Sequence, residues 1–125
     1  MLSKIVYGFV WLLSLLPLRV LYLFADICYV LLYYVVRYRR KVVMMNLRNS
    51  FPEKTEAELG KIAKGFYHHL CDFLVESYRM WHMSAEEIKR RCVFNNNEVV
   101  QNYLNEGRSL IVVLGHYGNW EWMAS

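Results

Sequence analysis

The chain has 125 residues, of which 56% are hydrophobic and 21% are charged, and its formal net charge is +4. Residues 1–50 carry seven Lys and Arg against one acid, whereas residues 51–125 carry eight against ten. A basic, apolar N-terminal region is typical of a segment that lies against anionic lipid. The composition does not indicate nucleic-acid binding, because the basic residues cluster beside an apolar stretch and not among exposed aromatic rings.

The apolar stretch runs from residue 5 to residue 36 and is interrupted by Pro17, Arg19 and Asp26. Because about twenty apolar residues in a helix cross a bilayer core, the stretch predicts membrane attachment. Pro17 is expected to begin a second helix. Two topologies stay open, which are a single tilted span and a pair of helices near 4–16 and 17–37 that lie in one leaflet.

A basic run, Arg37-Tyr38-Arg39-Arg40-Lys41, follows the apolar stretch. Under the positive-inside rule such a run marks the cytoplasmic side of a membrane segment. Residues 1–41 are therefore predicted to be a membrane anchor with a basic flank, and residues 42–125 a domain that faces the cytoplasm.

Three helices are predicted between the anchor and residue 91. The first covers 42–51 and is stopped by Pro52. The second begins at a capping box formed by Thr55 and Glu58 and extends to about Trp81. A second capping box, which begins at Ser84, opens the third helix. The apolar stripe predicted for the second helix comprises Leu59, Ile62, Ala63, Phe66, Leu70, Phe73 and Leu74.

The pattern over residues 92–114 predicts a strand, a helix and a second strand. Cys92–Phe94 is the first strand, a turn of three asparagines caps the helix at 98–105, and Gly107 closes that helix. Ser109–Leu114 is apolar enough for a buried strand. A βαβ unit of this kind implies a parallel pair with a right-handed crossover. The fold class predicted for residues 42–125 is α/β, as an incomplete, helix-rich domain.

His116 and Glu121 are the candidate catalytic residues. They follow the second predicted strand, and active residues of parallel sheets gather beyond the carboxyl ends of the strands. A carboxylate near an imidazole can orient the ring and raise its basicity, which is the arrangement of a general base. Gly115 and Gly118 leave room for a substrate against the backbone, and Asn119 or Gly118 is expected to cap a helix that begins at Trp120.

The possible metal ligands and the three cysteines are interpreted as structural residues and not as sites. His68, His69, Cys71 and Asp72 resemble a metal cluster only in composition, because adjacent histidines cannot both point one way, so no metal site is predicted. The three cysteines are widely spaced and fit neither a disulfide framework nor a zinc site. Buried, reduced thiols are expected.

The segment Val113-Leu114-Gly115-His116-Tyr117-Gly118-Asn119-Trp120-Glu121 resembles the His-x4-Asp/Glu block of the lipid A biosynthesis late acyltransferases. These are the lauroyl- and myristoyl-transferase-like members of the wider glycerolipid acyltransferase superfamily. Two upstream blocks are also similar to that family, namely Arg39-Arg40-Lys41 with Asn46-Leu47, and Ser50-Phe51-Pro52-Glu53.

The resemblance implies transfer of a fatty acyl group from acyl-carrier protein to a hydroxyl of a lipid A precursor, at the cytoplasmic face of the bacterial inner membrane. His116 would deprotonate the acceptor and Glu121 would support it, without a metal or organic cofactor. Substrate binding is assigned to Gly115, Gly118, Asn119, Arg39 and Arg40, although anchoring to the membrane also explains the two arginines.

Members of the family are longer and carry further strands, so the resemblance predicts that the sequence is an N-terminal fragment that is inactive by itself. Two other functions stay open. One is acyl transfer to a different membrane lipid, such as a lysophospholipid or a glycolipid. The other is a non-catalytic, membrane-anchored binding module.

Overall fold

A computed structural model describes residues 2–93, 95–113 and 115–123. The chain divides into two compact units, Met1–Trp81 and His82–Ser125. The predicted boundary at residue 41, which separates the anchor from the remainder by function, stays a prediction.

Two helices form the apolar N-terminal region. Helix α1 covers Leu2–Ser14, and helix α2 covers Leu18–Val30 and continues as a π-helical segment, Leu31–Val36. Pro17, at φ −58°, precedes α2, and its carbonyl accepts hydrogen bonds from the N–H groups of Val20 and Leu21 at 2.9 and 3.2 Å. The predicted start of a second helix at Pro17 is therefore confirmed.

The segment Leu18–Val36, with 19 residues, is long and apolar enough to cross a membrane. Helix α1 has 13 residues, which gives it a length of about 20 Å, and this is shorter than a bilayer core of about 30 Å. Length and composition thus make the second helical segment the candidate span in the described part of the chain, and its orientation stays a prediction.

Helix α3 covers Arg40–Ser50, and helix α4 covers Glu56–Arg79. The capping box predicted at the start of α4 is confirmed. The Thr55 hydroxyl accepts a hydrogen bond from the Glu58 N–H at 3.3 Å, and the Glu58 carboxylate accepts one from the Thr55 N–H at 2.8 Å. These bonds satisfy N–H groups that the first helical turn otherwise leaves without partners.

The buried face of α4 differs from the predicted stripe. The buried positions recur every four residues at Leu59, Ala63, Tyr67 and Cys71. Leu59 and Ala63 were in the predicted stripe, but Phe66 and Leu74 are exposed by 45% and 41%. Because the stripe was drawn from apolar residues alone, it missed a tyrosine whose ring is buried while its hydroxyl finds a hydrogen-bond partner.

The core of the first unit lies where α2 and its π-helical extension pack on α4. Tyr33, Ala63 and Tyr67 form a buried cluster, and the Tyr33 and Tyr67 rings meet edge to face with centroids 5.4 Å apart. The Tyr67 hydroxyl donates a hydrogen bond to the backbone carbonyl of Tyr38. Partly buried residues that pack on this cluster are Tyr29, Leu32, Val43, Met44 and Leu47.

Polar side chains of α4 meet the polar groups of α2. The His68 imidazole lies 3.0 Å from the Asp26 carboxylate through Nε2 and 3.0 Å from the Asp72 carboxylate through Nδ1. The Tyr22 hydroxyl donates to the Glu76 carboxylate at 2.6 Å. The Asp26 carboxylate, which interrupts the apolar stretch, therefore has a polar partner on the neighbouring helix.

The cysteines are free, but they are not all buried. Cys71 is buried, Cys92 is half-buried and Cys28 is exposed. Burial raises the pKa of the Cys71 thiol to about 11. Since the thiolate is the reactive form, Cys71 is a packing residue and not a nucleophile at neutral pH.

The second unit contains two short helices, α5 at Ala85–Arg91 and α6 at Asn97–Asn105. The Ser84 hydroxyl caps α5 by accepting a hydrogen bond from the Glu87 N–H at 3.2 Å. Asn96 occupies the N-cap of α6 in a left-handed conformation, although its side chain makes no capping bond. Gly107, at φ +70°, closes α6 as predicted, because Gly107 and Arg108 donate to the carbonyls of Leu104 and Tyr103.

The two predicted strands are not formed in the described residues. Residues 92–93 and 109–113 carry no strand assignment, and Phe94 and Leu114 lie outside the described residues. Ile111 and Val113 are exposed by 92% and 88%, so the apolar run predicted to be buried is open to solvent. A strand requires a hydrogen-bonded neighbour, and the described residues provide none for this run. The α/β class stays a prediction.

We predict that Thr55→Ala lowers the free energy of unfolding by about 1 kcal/mol, the usual cost of deleting an N-cap hydroxyl. Thr55→Ser keeps the hydroxyl and should restore most of the stability. Urea unfolding of the detergent-solubilised chain measures both variants, and equal stabilities of the Ala variant and the unmodified chain would contradict the assigned cap.

The same cap predicts a dependence on pH. Hydrogen bonds from the Thr55 backbone N–H and hydroxyl hold the pKa of the Glu58 carboxyl below its usual range. The stabilisation is therefore complete above the unfolded pKa of about 4.3 and is lost as the pH falls through the lower, folded pKa. Thr55→Ala should show a smaller loss of stability on acidification than the unmodified chain.

A further prediction concerns the core. Tyr67→Phe deletes the hydrogen bond to the Tyr38 carbonyl and should cost about 1 kcal/mol of unfolding free energy. Tyr78→Phe is the matched control, because its ring is 42% exposed and its hydroxyl makes no hydrogen bond to the described residues. If both variants unfold at the same urea concentration, the Tyr67 hydroxyl has no stabilising role.

Candidate functional site

The segment that carries His116 is open to solvent. His116 is exposed, and the ring lies edge to face against Trp120, with centroids 4.6 Å apart and an interplanar angle of 65°. An aromatic neighbour of this kind orients an imidazole without forming a salt bridge to it. The ring is thus placed at the surface of the second unit, where a proton-bearing substrate can reach it.

Glu121 lies in a 3₁₀ turn, Trp120–Met123. The helix predicted to begin at Trp120 is therefore a single short turn, in which the Trp122 N–H donates to the Asn119 carbonyl at 3.4 Å. The Arg91 guanidinium lies over the Trp122 ring, 5.7 Å from the centroid. Cation–π contact of this kind ties α5 to the turn.

No hydrogen bond or ion pair joins His116 to Glu121 within the described residues. The structure places the His116 ring against Trp120 and Glu121 in the turn Trp120–Met123. Catalytic hydrogen bonds commonly tighten only when substrate is bound. The catalytic roles of the two residues stay predictions.

Gly115 and Gly118 flank His116 on an open backbone. A methyl group added at either position would meet no atom within 4 Å. Gly118 has φ +62°, a left-handed conformation that favours glycine, whereas no such value applies to Gly115. Asn119 is half-buried next to them. The substrate-binding role of Gly115, Gly118 and Asn119 stays a prediction.

The first unit contains a second candidate site, which we call the basic groove. It is an open groove of about 940 Å³, lined by Arg37, Arg39, Arg40, Lys41, Met44, Arg48, Glu56 and Gly60. The predicted substrate-binding residues Arg39 and Arg40 are thus brought together with three further cations. Arg48 was not among the residues predicted from the sequence, although it follows Lys41 by seven positions, which is two turns of one helix.

Two of the groove's cations have partners. Arg40 stacks on the Tyr33 ring, with the guanidinium carbon 4.7 Å from the centroid. Arg48 forms a bidentate pair with Glu56 at 2.6 and 2.9 Å. Hydrogen bonds from Arg48 hold the pKa of the Glu56 carboxyl below its usual range. The pair is exposed, so it fixes geometry more than it stabilises the fold.

In the described part of the chain, no group of three or more His, Cys, Asp or Glu residues could hold a metal ion. His68 belongs to the group of residues that resembles a metal cluster in composition. Its ring directs its two nitrogens towards Asp26 and Asp72. Its role in the structure is to connect α2 with α4.

A model of the bacterial lipid A biosynthesis acyltransferase family matches residues 1–125, which is the whole chain. Comparisons with curated proteins and with solved structures give no significant match. The family match includes the apolar helices, the basic groove and the His116 segment.

Proposed function

Because the chain belongs to the bacterial lipid A biosynthesis acyltransferase family, we propose that the protein to which residues 1–125 belong moves a fatty acyl chain from an acyl-carrier-protein thioester to a hydroxyl of a lipid A precursor. The reaction takes place at the cytoplasmic face of the inner membrane. The single observation that carries the proposal is the family match over residues 1–125. The candidate span, Leu18–Val36, supports a lipid acceptor, since it would hold the chain at the bilayer.

His116 acts in this proposal as the general base. Its imidazole takes the proton of the acceptor hydroxyl while the hydroxyl oxygen attacks the thioester carbonyl. The tetrahedral intermediate collapses, the carbon–sulfur bond breaks, and the imidazolium returns the proton to the thiol of the carrier. The exposure of His116 and the absence of a carboxylate bound to it in the described residues leave the ring accessible to a hydroxyl.

Glu121 supports the imidazolium that forms during attack. A carboxylate that accepts a hydrogen bond from one ring nitrogen raises the basicity of the other. Glu121 lies in the turn that begins with Trp120, the residue on which the His116 ring packs. In the proposal, the Glu121 carboxylate contacts the ring when substrate is bound.

In the proposal, the backbone at the glycines next to His116 stabilises the oxyanion. Backbone N–H groups that point at the developing negative charge stabilise a tetrahedral intermediate. Open space at Gly115 and Gly118 allows the thioester to approach the backbone at this point.

The test is acyl transfer by membranes of cells in which the gene for this chain carries His116→Ala. We expect the rate of transfer from acyl-carrier protein to a lipid A precursor to fall at least about 100-fold, the usual contribution of a general base. Glu121→Gln should reduce the rate by a smaller factor, because the base itself remains.

His69→Ala is the matched control, since His69 is an exposed histidine on α4. Its membranes should transfer acyl groups at the unmodified rate. A His116→Ala variant with that same rate would overturn the proposed role of His116.

A further inference from the structure

The basic groove has a strong excess of positive charge. Five cationic side chains line it, and Glu56, the acid that also lines it, is paired with Arg48. No carboxylate in the described residues pairs with Arg37, Arg39 or Lys41. Three uncompensated cations at one concave surface favour an anionic ligand.

The backbone holds these cations in a defined arrangement. Arg37 and Arg39 both adopt the left-handed conformation, at φ 54° and 49°, which is unfavourable for a non-glycine residue. The conformation is maintained by contacts on both sides, which are the hydrogen bond from Tyr67 to the Tyr38 carbonyl and the stacking of Arg40 on Tyr33. The basic run therefore adopts a defined turn.

The position of the groove relative to the candidate span identifies the kind of anion. Arg37 directly follows Val36, the last residue of the candidate span. Basic residues that follow a span lie at the depth of the lipid headgroups. A volume of about 940 Å³ suits a small polar headgroup, whereas an acidic partner protein would require a broader, flatter surface.

We propose that the basic groove binds the phosphate headgroup of an anionic lipid, with Arg37, Arg39 and Lys41 as phosphate ligands. Arg40 and Arg48 line the same groove but are oriented by Tyr33 and Glu56. The identification of the bound lipid as the acyl acceptor rests on the proposed function. Lipid binding is measured without acyl transfer. A failure of this proposal can therefore be distinguished from a failure of the proposed function.

The test measures binding of short-chain lipids to the detergent-solubilised chain by microscale thermophoresis. Dioctanoyl phosphatidic acid is the probe, and dioctanoyl phosphatidylcholine and inorganic phosphate are the comparisons. We expect phosphatidic acid to bind at least about tenfold more tightly than either comparison, because Lys and Arg at headgroup depth attract anionic lipid.

The double variant Arg39→Gln, Lys41→Gln should lose this preference, since it removes two phosphate ligands and keeps the Arg40–Tyr33 and Arg48–Glu56 contacts. Lys89→Gln, Arg90→Gln is the matched control, because it removes one Lys and one Arg from exposed positions of α5. Arg39→Lys keeps the charge and should keep most of the affinity, which separates loss of binding from loss of folding.

Three results would overturn the proposal. The first is equal affinity of the unmodified chain for phosphatidic acid and phosphatidylcholine. The second is an equal loss in the two double variants, which would indicate diffuse attraction and not a site. The third is binding of inorganic phosphate as tight as that of phosphatidic acid, which would reassign the groove to free phosphate.

Discussion

The hydrogen bond from the Tyr67 hydroxyl to the Tyr38 carbonyl is the contact on which the first unit most depends. It joins the buried face of α4 to the point where the π-helical extension of α2 ends and the basic run begins. The Tyr33 ring packs edge to face against Tyr67, and the Arg40 guanidinium lies over the same ring. One tyrosine cluster thus packs the core and also fixes the left-handed turn that lines the basic groove.

The packing of α4 on α2 also explains how polar groups are accommodated in an apolar helix. A carboxylate at mid-membrane is costly unless it is paired, and the Asp26 carboxylate meets His68. The opposite face of α2 exposes large side chains such as Leu23 and Ile27, by 63% and 58%. An apolar face of this kind is compatible with lipid contact, whereas the face towards α4 is protein core. Burial raises the pKa of the Asp72 carboxyl, which also contacts His68.

The sequence predicted the features that depend on local chemistry. The break at Pro17, the capping box at Thr55 and the closing glycine of α6 are each set by residues within one helical turn, so pattern analysis found them. Features that depend on distant partners were missed or wrong. Tyr67 is buried because of Tyr33 and Tyr38, and Arg48 lines a groove because Glu56 holds it.

Residues 109–113 are apolar enough for a strand, but a strand needs a neighbour along its length. His116 and Glu121 were selected as candidate catalytic residues from their spacing and from the family resemblance. No spacing rule predicts the contact of His116 with Trp120.

The proposed role of His116 as the base of an acyl transfer to lipid A is tested most directly in cells. Lipid A is extracted from a strain whose chromosomal gene for this chain carries His116→Ala and is analysed by mass spectrometry. We expect lipid A that lacks one acyl chain, with the same loss in a strain from which the gene is deleted. Lipid A with its full set of acyl chains in the His116→Ala strain, alongside the loss of one chain in the deletion strain, would contradict the assigned base. Unchanged lipid A in both strains would contradict lipid A as the acceptor.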